Sequence, residues 1–321
     1  MSKNDDVEVS VVVPSYDHAP FVASAVRSAL DQVGVSLEVI AIDDGSRDDS
    51  VARLREIEDH RLTVVRQENR GLSRTLNRGL ELARGRLVKM LPSDDLLEPG
   101  ALARQAALVR SEGLAVAFSR PTVVDAGGRP LADPAPQAWF DIDAGDSRSL
   151  LRALVPRNPL CAPGALFERA LALAVGGFDP SLRVAHDYDL WLRLLARGRG
   201  RLQPERLVRV RWHGDNQSAT ADASTEEERA YALVGALVRT GLAWWVERFA
   251  PGGRPALAVA LMQSGLREVR PFARALLVEE RARGARLPGF PELAPLLDEA
   301  PELARPGDWG APAGARPADE R

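Results

Sequence analysis

The chain has 321 residues, 45% hydrophobic and 27% charged, an ordinary globular composition with more apolar material than one small core needs. A formal net charge of −3, with arginine and glutamate interspersed, offers no basic field for a phosphate backbone and argues against nucleic-acid binding. The single cysteine, Cys161, excludes an internal disulfide and belongs to no metal-ligand spacing, so the chain reads as a protein of a reducing compartment, by default the cytoplasm. Residues 1–6 are polar and unlike a signal peptide, and the longest apolar runs fall short of the roughly 20 residues of a membrane span. Any membrane contact is therefore expected to be peripheral.

The first half alternates strand and helix. Val9 to Val13 is a β-branched run too apolar for a one-sided strand, and Pro14 ends it. Phe21, Ala25, Val26, Ala29 and Leu30 repeat at helical spacing, with Gly34 beyond the helix end. Leu37 to Ile42 reads as a second strand, Asp48 caps a helix running to about Ile57, and Leu62 to Val65 is a third strand. A helix over about Leu72 to Ala83, a strand over Leu87 to Leu91, a helix from Pro99-Gly100 to about Val109 and a strand over Leu114 to Phe118 follow. Short strands separated by helices predict right-handed βαβ crossovers in one open, mostly parallel sheet with helices on both faces. Ligands of such sheets bind beyond the carboxyl ends of the strands.

From 120 to about 165 the periodicity fails, and Asp125 to Arg129, Pro134 and Pro136 predict loop and short strand. Trp139 there reads either as a floor for an acceptor or as a plug for the core. Ala165 to Phe167 predicts a strand, Glu168 to Ala174 a helix, about Asp187 to Ala196 another helix, and Leu207 to Arg211 a strand. Beyond Thr220 the character changes: one apolar helical face runs from the Thr225-Glu226-Glu227-Glu228 start to Phe249, and further helices span about Pro255 to Val269 and Pro271 to Arg281. These helices are expected to fold back on the first half, or to lie on a membrane through their Trp and Arg residues. The predicted division is an α/β domain over 1–220, a helical extension over 221–300 and a tail over 301–321 whose Gly, Ala and Pro favour disorder.

Several motifs end apolar runs, and their order carries an identity: Val11-Val12-Val13-Pro14-Ser15-Tyr16; Asp43-Asp44-Gly45-Ser46; Asn69 with Gly71-Leu72-Ser73 and Asn77; Ser93-Asp94-Asp95; Gly176-Gly177-Phe178-Asp179; His186 to Arg193; and Arg211-Trp212-His213. In this order, over about Val9 to Ser218, the chain resembles the family 2 glycosyltransferases, inverting nucleotide-sugar enzymes of the GT-A fold. Each motif alone is weak; Asp-Asp-Gly-Ser by itself is simply a good turn.

The resemblance implies a role for each motif. Donor binding falls to Pro14, Ser15, Tyr16, Asp44, Asn69, Gly71, Ser73, Asn77, Ser93 and Asp94, with Asp44 reading the base of a donor, UDP being favoured. A divalent cation, Mn²⁺ or Mg²⁺, is implied at Asp95, with Asp94 near the ribose or the metal and His213 as a further ligand. Where many relatives carry another aspartate, two places before Asp94, this chain has Pro92, which ligates nothing, and Leu76 replaces a frequent arginine. Arg70, Arg74 and Arg78 read either as diphosphate contacts or as a solvated helix face. Asp187 matches the family's base, which takes the proton of the attacking hydroxyl; a helix-cap role is the lesser reading and is compatible with it. His186 stands where the family has glutamate and, with Trp139, is placed on the acceptor side; His18 and His60 receive no role. The acceptor is a glycan, lipid-linked or other hydroxyl.

Two rival classes stay open at this stage. A nucleotidyltransferase of related fold would carry a Gly-rich, basic phosphate loop after the first strand, which Pro14-Ser15-Tyr16-Asp17 is not. A non-catalytic nucleotide-sugar-binding module would be consistent with Pro92 and His186.

Overall fold

The computed structural model describes residues 7–131, 133, 135–213, 223–249 and 252–282. Eight strands form one sheet: β1 (Val9–Ser15), β2 (Leu37–Asp43), β3 (Leu62–Arg66), β4 (Leu87–Met90), β5 (Leu96–Leu97), β6 (Val116–Val124), β7 (Ala165–Glu168) and β8 (Gly200–Arg211), in the order β3-β2-β1-β4-β7-β6-β8-β5. The β1–β2, β2–β3, β1–β4 and β6–β8 pairs are parallel, whereas β7 runs antiparallel to both β4 and β6, and β5 antiparallel to β8. The helices are α1 (Val22–Leu30), α2 (Ser50–Arg55), α3 (Leu72–Leu82), α4 (Ala101–Glu112), α5 (Ala135–Phe140), α6 (Ser147–Leu154), α7 (Arg169–Ala174), α8 (His186–Arg197), α9 (Ala223–Thr240), α10 (Leu242–Arg248), α11 (Gly253–Gln263) and α12 (Arg270–Ala282).

The continuous apolar runs of β1 and β2 are buried on both faces because side chains alternate across a strand. Val9, Val11 and Val13 join the core on the side of α1 and α4, while Val12, Ile40 and Ile42 join the core that contains α3, α6 and α8. Gly79 lets α3 sit directly on β1, since a Cβ there would lie 2.3 Å from Val12 Cγ1. Trp191 of α8 is fully buried, its ring 5.3 Å from Phe118 and 5.8 Å from Phe167, and anchors that face of the sheet.

The largest difference from the sequence reading lies between 120 and 165. The strand continues to Val124, and α5 and α6 replace the expected loop. Helix α6 carries a start signal in its own sequence: Asp146 accepts the Ser149 N–H at 2.8 Å, and Leu150, Leu151 and Leu154 are buried on one face. Trp139, on α5, is 48% exposed, so it does not plug the core. Strand β8 begins at Gly200 and crosses Pro204 through a register irregularity, Gln203 facing Ser119 and Arg206 facing Arg120. The two-residue strand β5 carries no pattern of its own and exists through its pairing with Arg209 and Val208.

In the C-terminal part the single expected helix to Phe249 is broken. Gly241, at φ +77°, separates α9 from α10, and Trp245 Nε1 donates to Thr240 Oγ1 at 2.7 Å across the break. The next helix stops at Gln263, and a 3-10 turn covers Arg267–Val269. Leu233, Leu237, Trp245, Leu257, Leu261 and Leu277 belong to the same buried cluster as Trp191, so these helices pack on the sheet layer. Among the described residues no helix is long and apolar enough to cross a membrane. Gly214 to Ser218 and the tail from Pro301 lie outside the described residues.

Trp191→Ala is expected to lower the unfolding free energy by about 3–5 kcal/mol, read by urea denaturation, because a large void opens between Phe118 and Phe167. A loss below about 0.5 kcal/mol, the range of surface substitutions, would contradict this packing.

Candidate active site

Strand directions decide which residues meet. Strands β1, β2 and β4 are mutually parallel, β7 reverses, and β6 and β8 reverse again, so the carboxyl ends of β1, β2, β4, β6 and β8 share one edge with the start of β7. That edge holds Ser15, Asp43-Asp44, Ser93-Asp94-Asp95, Arg211 to His213, and the Asn158 to Cys161 approach to β7.

The loops at this edge are stitched together. Asp44 N donates to Ser15 O at 2.8 Å, Asp17 N to Ser46 Oγ at 2.9 Å and His18 N to Ser50 Oγ at 3.0 Å. Asp17 adopts φ 51°, a left-handed conformation, while its carboxylate accepts from Arg47. Asp44 is buried, and its carboxylate accepts Gln67 Nε2 at 2.7 Å and the Arg70 and Gly71 N–H groups at 2.9 Å each. Ser15 Oγ and Asp43 Oδ2 are buried without a hydrogen-bond partner among the described residues. Pro14 pairs with Ile42 in the sheet, and Tyr16 is exposed beneath the Arg47 guanidinium, which sits 5.7 Å from its ring.

At the end of β4, Asp95 N donates to Pro92 O at 3.0 Å, so Pro92 forms the turn that delivers the acidic pair. Asp95 Oδ1 accepts the Arg211 N–H at 2.9 Å, the Arg211 guanidinium donates to Asp94 O, and His213 Nε2 lies 3.1 Å from Asp94 Oδ2. His18 Nδ1 reaches Ser93 Oγ at 2.7 Å, and Phe21 stacks on His213 with ring centroids 5.4 Å apart. Burial, with the Asp94 carboxylate beside it, pushes the Asp95 carboxyl well above the ordinary range despite Arg211.

Two buried carboxylates beside an imidazole form a hard donor set that a divalent cation would neutralise, so the residues fit Mn²⁺ or Mg²⁺. Among the described residues no three His, Cys, Asp or Glu side chains converge closely enough to hold an ion alone. Protein sites for such ions commonly supply one or two carboxylates, with phosphate oxygens completing the shell.

Asp187, at the start of α8, is half-buried and faces Asn158, whose Nδ2 lies 3.4 and 3.3 Å from its two carboxylate oxygens; the Tyr188 N–H donates to Oδ1 at 2.6 Å. Burial raises the Asp187 carboxyl, opposed by His186, the Tyr188 N–H and Asn158. The Asn158 carbonyl in turn accepts Trp139 Nε1 at 2.9 Å, and the Arg157 guanidinium lies 4.5 Å from the Trp139 ring. Cys161 is buried on the same approach to β7, three residues beyond Asn158. Burial pushes its thiol up to about 12, with the Asp95 and Asp187 carboxylates acting in the same direction. His186 is 6% exposed and packs against the Phe178 ring; burial lowers its imidazole and holds it neutral.

Ser73 and Asn77 bond to backbone rather than pointing into open space. Ser73 Oγ donates to Leu182 O at 2.7 Å, and Asn77 exchanges two bonds with Phe178, at 2.7 and 2.8 Å. Asn69 and Gly71 are exposed, with Gly71 at φ 84° so that its N–H faces Asp44. Arg70, Arg74 and Arg78 line an open groove of about 670 Å³ with Gln67, Asn77 and Glu81, and neither Asp95 nor Asp187 lines it. Arg78 donates to Gln67 Oε1 at 2.7 Å, so the groove adjoins Asp44. Sequence reasoning missed His18, Phe21, Gln67 and Asn158. These are single polar or aromatic residues in irregular segments, whose partners lie 23 to 75 positions away for His18, Gln67 and Asn158.

A profile of glycosyl transferase family 2 matches residues 10–144. An uncharacterized protein of Mycobacterium tuberculosis is 32% identical over 236 residues, covering 70% of each chain. The TarS structure from S. aureus in complex with UDP-GlcNAc superposes with a TM-score of 0.61 at 18% identity, over 84% of this chain and 83% of that one. The mannosyltransferase PcManGT of Pyrobaculum calidifontis, in complex with GDP-Man and Mn²⁺, superposes at 0.54 and 21% identity, over 91% and 79%. The chain belongs to glycosyltransferase family 2, and its fold is the GT-A fold of these structures.

Asn77→Ala is expected to cost about 1–3 kcal/mol in urea denaturation, because Phe178 loses partners for both its N–H and its carbonyl. Unchanged stability would show that water replaces Asn77 and that α3 does not hold the 177–182 segment.

Proposed function

We propose that this chain is an inverting, metal-dependent glycosyltransferase that moves a sugar from a nucleotide-diphosphate donor, UDP being favoured, to a hydroxyl of a growing glycan or lipid-linked acceptor. The observation that carries the proposal is the shared sheet edge, which holds the Asp44 turn, the Asp94-Asp95-His213 group and the Asp187–Asn158 pair, the first two bridged by the 17–18 loop through Asp17–Ser46 and His18–Ser93. The UDP-GlcNAc complex of TarS and the Mn²⁺ complex of PcManGT support the donor and metal classes. The catalytic unit is assigned to residues 1–220 and the extension to 221–300, acting in the cytoplasm or at the inner face of a membrane.

In this reading the nucleoside lies at the β1 and β2 ends. The Asp44 carboxylate, already oriented by Gln67, Arg70 and Gly71, accepts from the base, and Ser15 Oγ supplies a buried polar group without a protein partner. Asp95, Asp94 and His213 would hold the cation, which as a Lewis acid stabilises charge on a departing diphosphate. Asp187 takes the proton of the acceptor hydroxyl onto a carboxylate oxygen while Asn158 Nδ2 fixes the carboxylate plane. The new bond joins the acceptor oxygen to the anomeric carbon. The bond from that carbon to the diphosphate oxygen breaks, its electron pair leaves with the nucleoside diphosphate, and attack from the opposite face inverts the centre. Trp139, stacked with Arg157 and bonded to Asn158, offers a half-exposed aromatic face on the acceptor side.

Only the ionised Asp187 serves as a base. Its carboxyl is raised in the fold, so activity is lost as pH falls through a value above the 3.8 of an ordinary aspartate. Asp187→Asn is expected to reduce transfer by about 10²–10⁴-fold, with nucleotide binding by calorimetry unchanged. Wild-type turnover in that variant would reject Asp187 as the base.

A further inference from the structure

Helix α8 begins without a side-chain cap of its own: its N-cap residue, Ala185, has none to offer, although the first N–H groups of any helix need acceptors. The acceptor comes from α9. The Glu228 carboxylate accepts three successive backbone N–H groups that lead into α8: Arg183 at 3.0 Å to each oxygen, Val184 at 2.7 Å and Ala185 at 2.9 Å. Bonds from several N–H groups to one ionised carboxylate are strong, and a negative charge at a helix start is favoured by the helix dipole. Two residues beyond Ala185 lies Asp187.

The next residue of α9 holds the other half of the pair. Arg229 Nη2 donates to Pro156 O at 2.8 Å, two residues before Asn158, whose Nδ2 meets both Asp187 oxygens. Adjacent residues of one helix thus grip both segments between which the Asp187–Asn158 contact forms. Higher on α8, Arg239 Nη2 reaches Asp189 Oδ1 at 3.4 Å, and Ala232, Leu233, Ala236 and Leu237 are buried, which keeps α9 in place along α8. Of the three consecutive glutamates, Glu226 pairs with Arg229 and Glu227 is exposed, so Glu228 is the one aimed at α8.

We infer that α9 is a working part of the transfer site, with Glu228 as a positioning residue that sets the Asp187 carboxylate by holding residues 183–185. The inference rests on the transferase reading above and adds that the C-terminal extension controls the chemical step rather than donor affinity. Among the described residues the Glu228 carboxylate bonds to the N–H groups of residues 183–185 and to none of Asp44, Asp94 or Asp95, so its removal separates the two.

The test uses the full chain carrying Glu228→Ala or Glu228→Gln, with Glu227→Ala as control, and measures kcat, donor KM, nucleotide affinity and amide hydrogen exchange. Glu228→Ala is expected to lower kcat between about tenfold and a hundredfold, leave donor KM and nucleotide affinity unchanged, and speed exchange at residues 183–188. Glu228→Gln keeps one carbonyl acceptor and recovers part of the rate; Glu227→Ala behaves as wild type. Wild-type kcat in Glu228→Ala, unchanged exchange at 183–185, or donor affinity falling together with kcat would overturn the inference. Should the alanine variant not fold, the glutamine variant carries the same comparison. A wild-type chain that turns over no nucleotide sugar would instead remove the transferase reading, a result distinct from a silent Glu228 variant.

Discussion

The constraint on which this molecule turns is the burial of two neighbouring carboxylates at the end of β4. Asp94 is 8% exposed and Asp95 4%, so the two carboxyl groups meet with little solvent contact. The fold answers with the N–H and guanidinium of Arg211 and with the imidazole of His213, all delivered by the far strand β8. Even so, the Asp95 carboxyl remains far above its ordinary range. Burial on this scale disfavours charge on Asp95, a cost that packing alone gives no reason to keep. Strand β8 presents Arg211 and His213 to Asp94 and Asp95 because it runs parallel to β4, with its carboxyl end at the same edge.

From that centre, contacts run both ways around the edge. On one side Ser93 reaches His18, whose loop is bonded to the Asp44 turn. On the other, the 158–161 approach to β7 brings Asn158 against Asp187. Helix α3 closes the circuit: its first residues face Asp44, while Ser73 and Asn77 hold the backbone of Phe178 and Leu182 just ahead of α8. Gly177 is required in that clasp, since a Cβ there would lie 2.5 Å from Asn77 Oδ1 and its φ is +67°. The Asp44 turn and the Phe178–Leu182 segment are thus both braced against the α3 region by short polar contacts.

The sheet was legible from residues because parallel strands buried on both faces, such as Val9 to Val13 and Leu37 to Ile42, leave unbroken apolar runs. The acidic pairs were legible because each ends such a run. Where the sequence reading failed, the determining contacts are distant. Helix α5 has little amphipathic pattern, β5 is made by its pairing with β8, and the break at Gly241 interrupts a face that reads as continuous. Asn158, Gln67 and Glu228 are ordinary polar residues in sequence and acquire meaning only from the N–H groups and carboxylates they meet in space. His186 kept its predicted position in the motif, yet burial against Phe178 turns it toward the core.

If nucleotide, cation and catalytic base share one sheet edge, diffraction from crystals grown with UDP and Mn²⁺ reveals it through the anomalous signal of manganese. A single strong peak is expected at Asp95 and His213, with the uracil against Asp44 and the diphosphate leading toward Asp187. Nucleotide bound in another part of the molecule, with no manganese at Asp95, would contradict it.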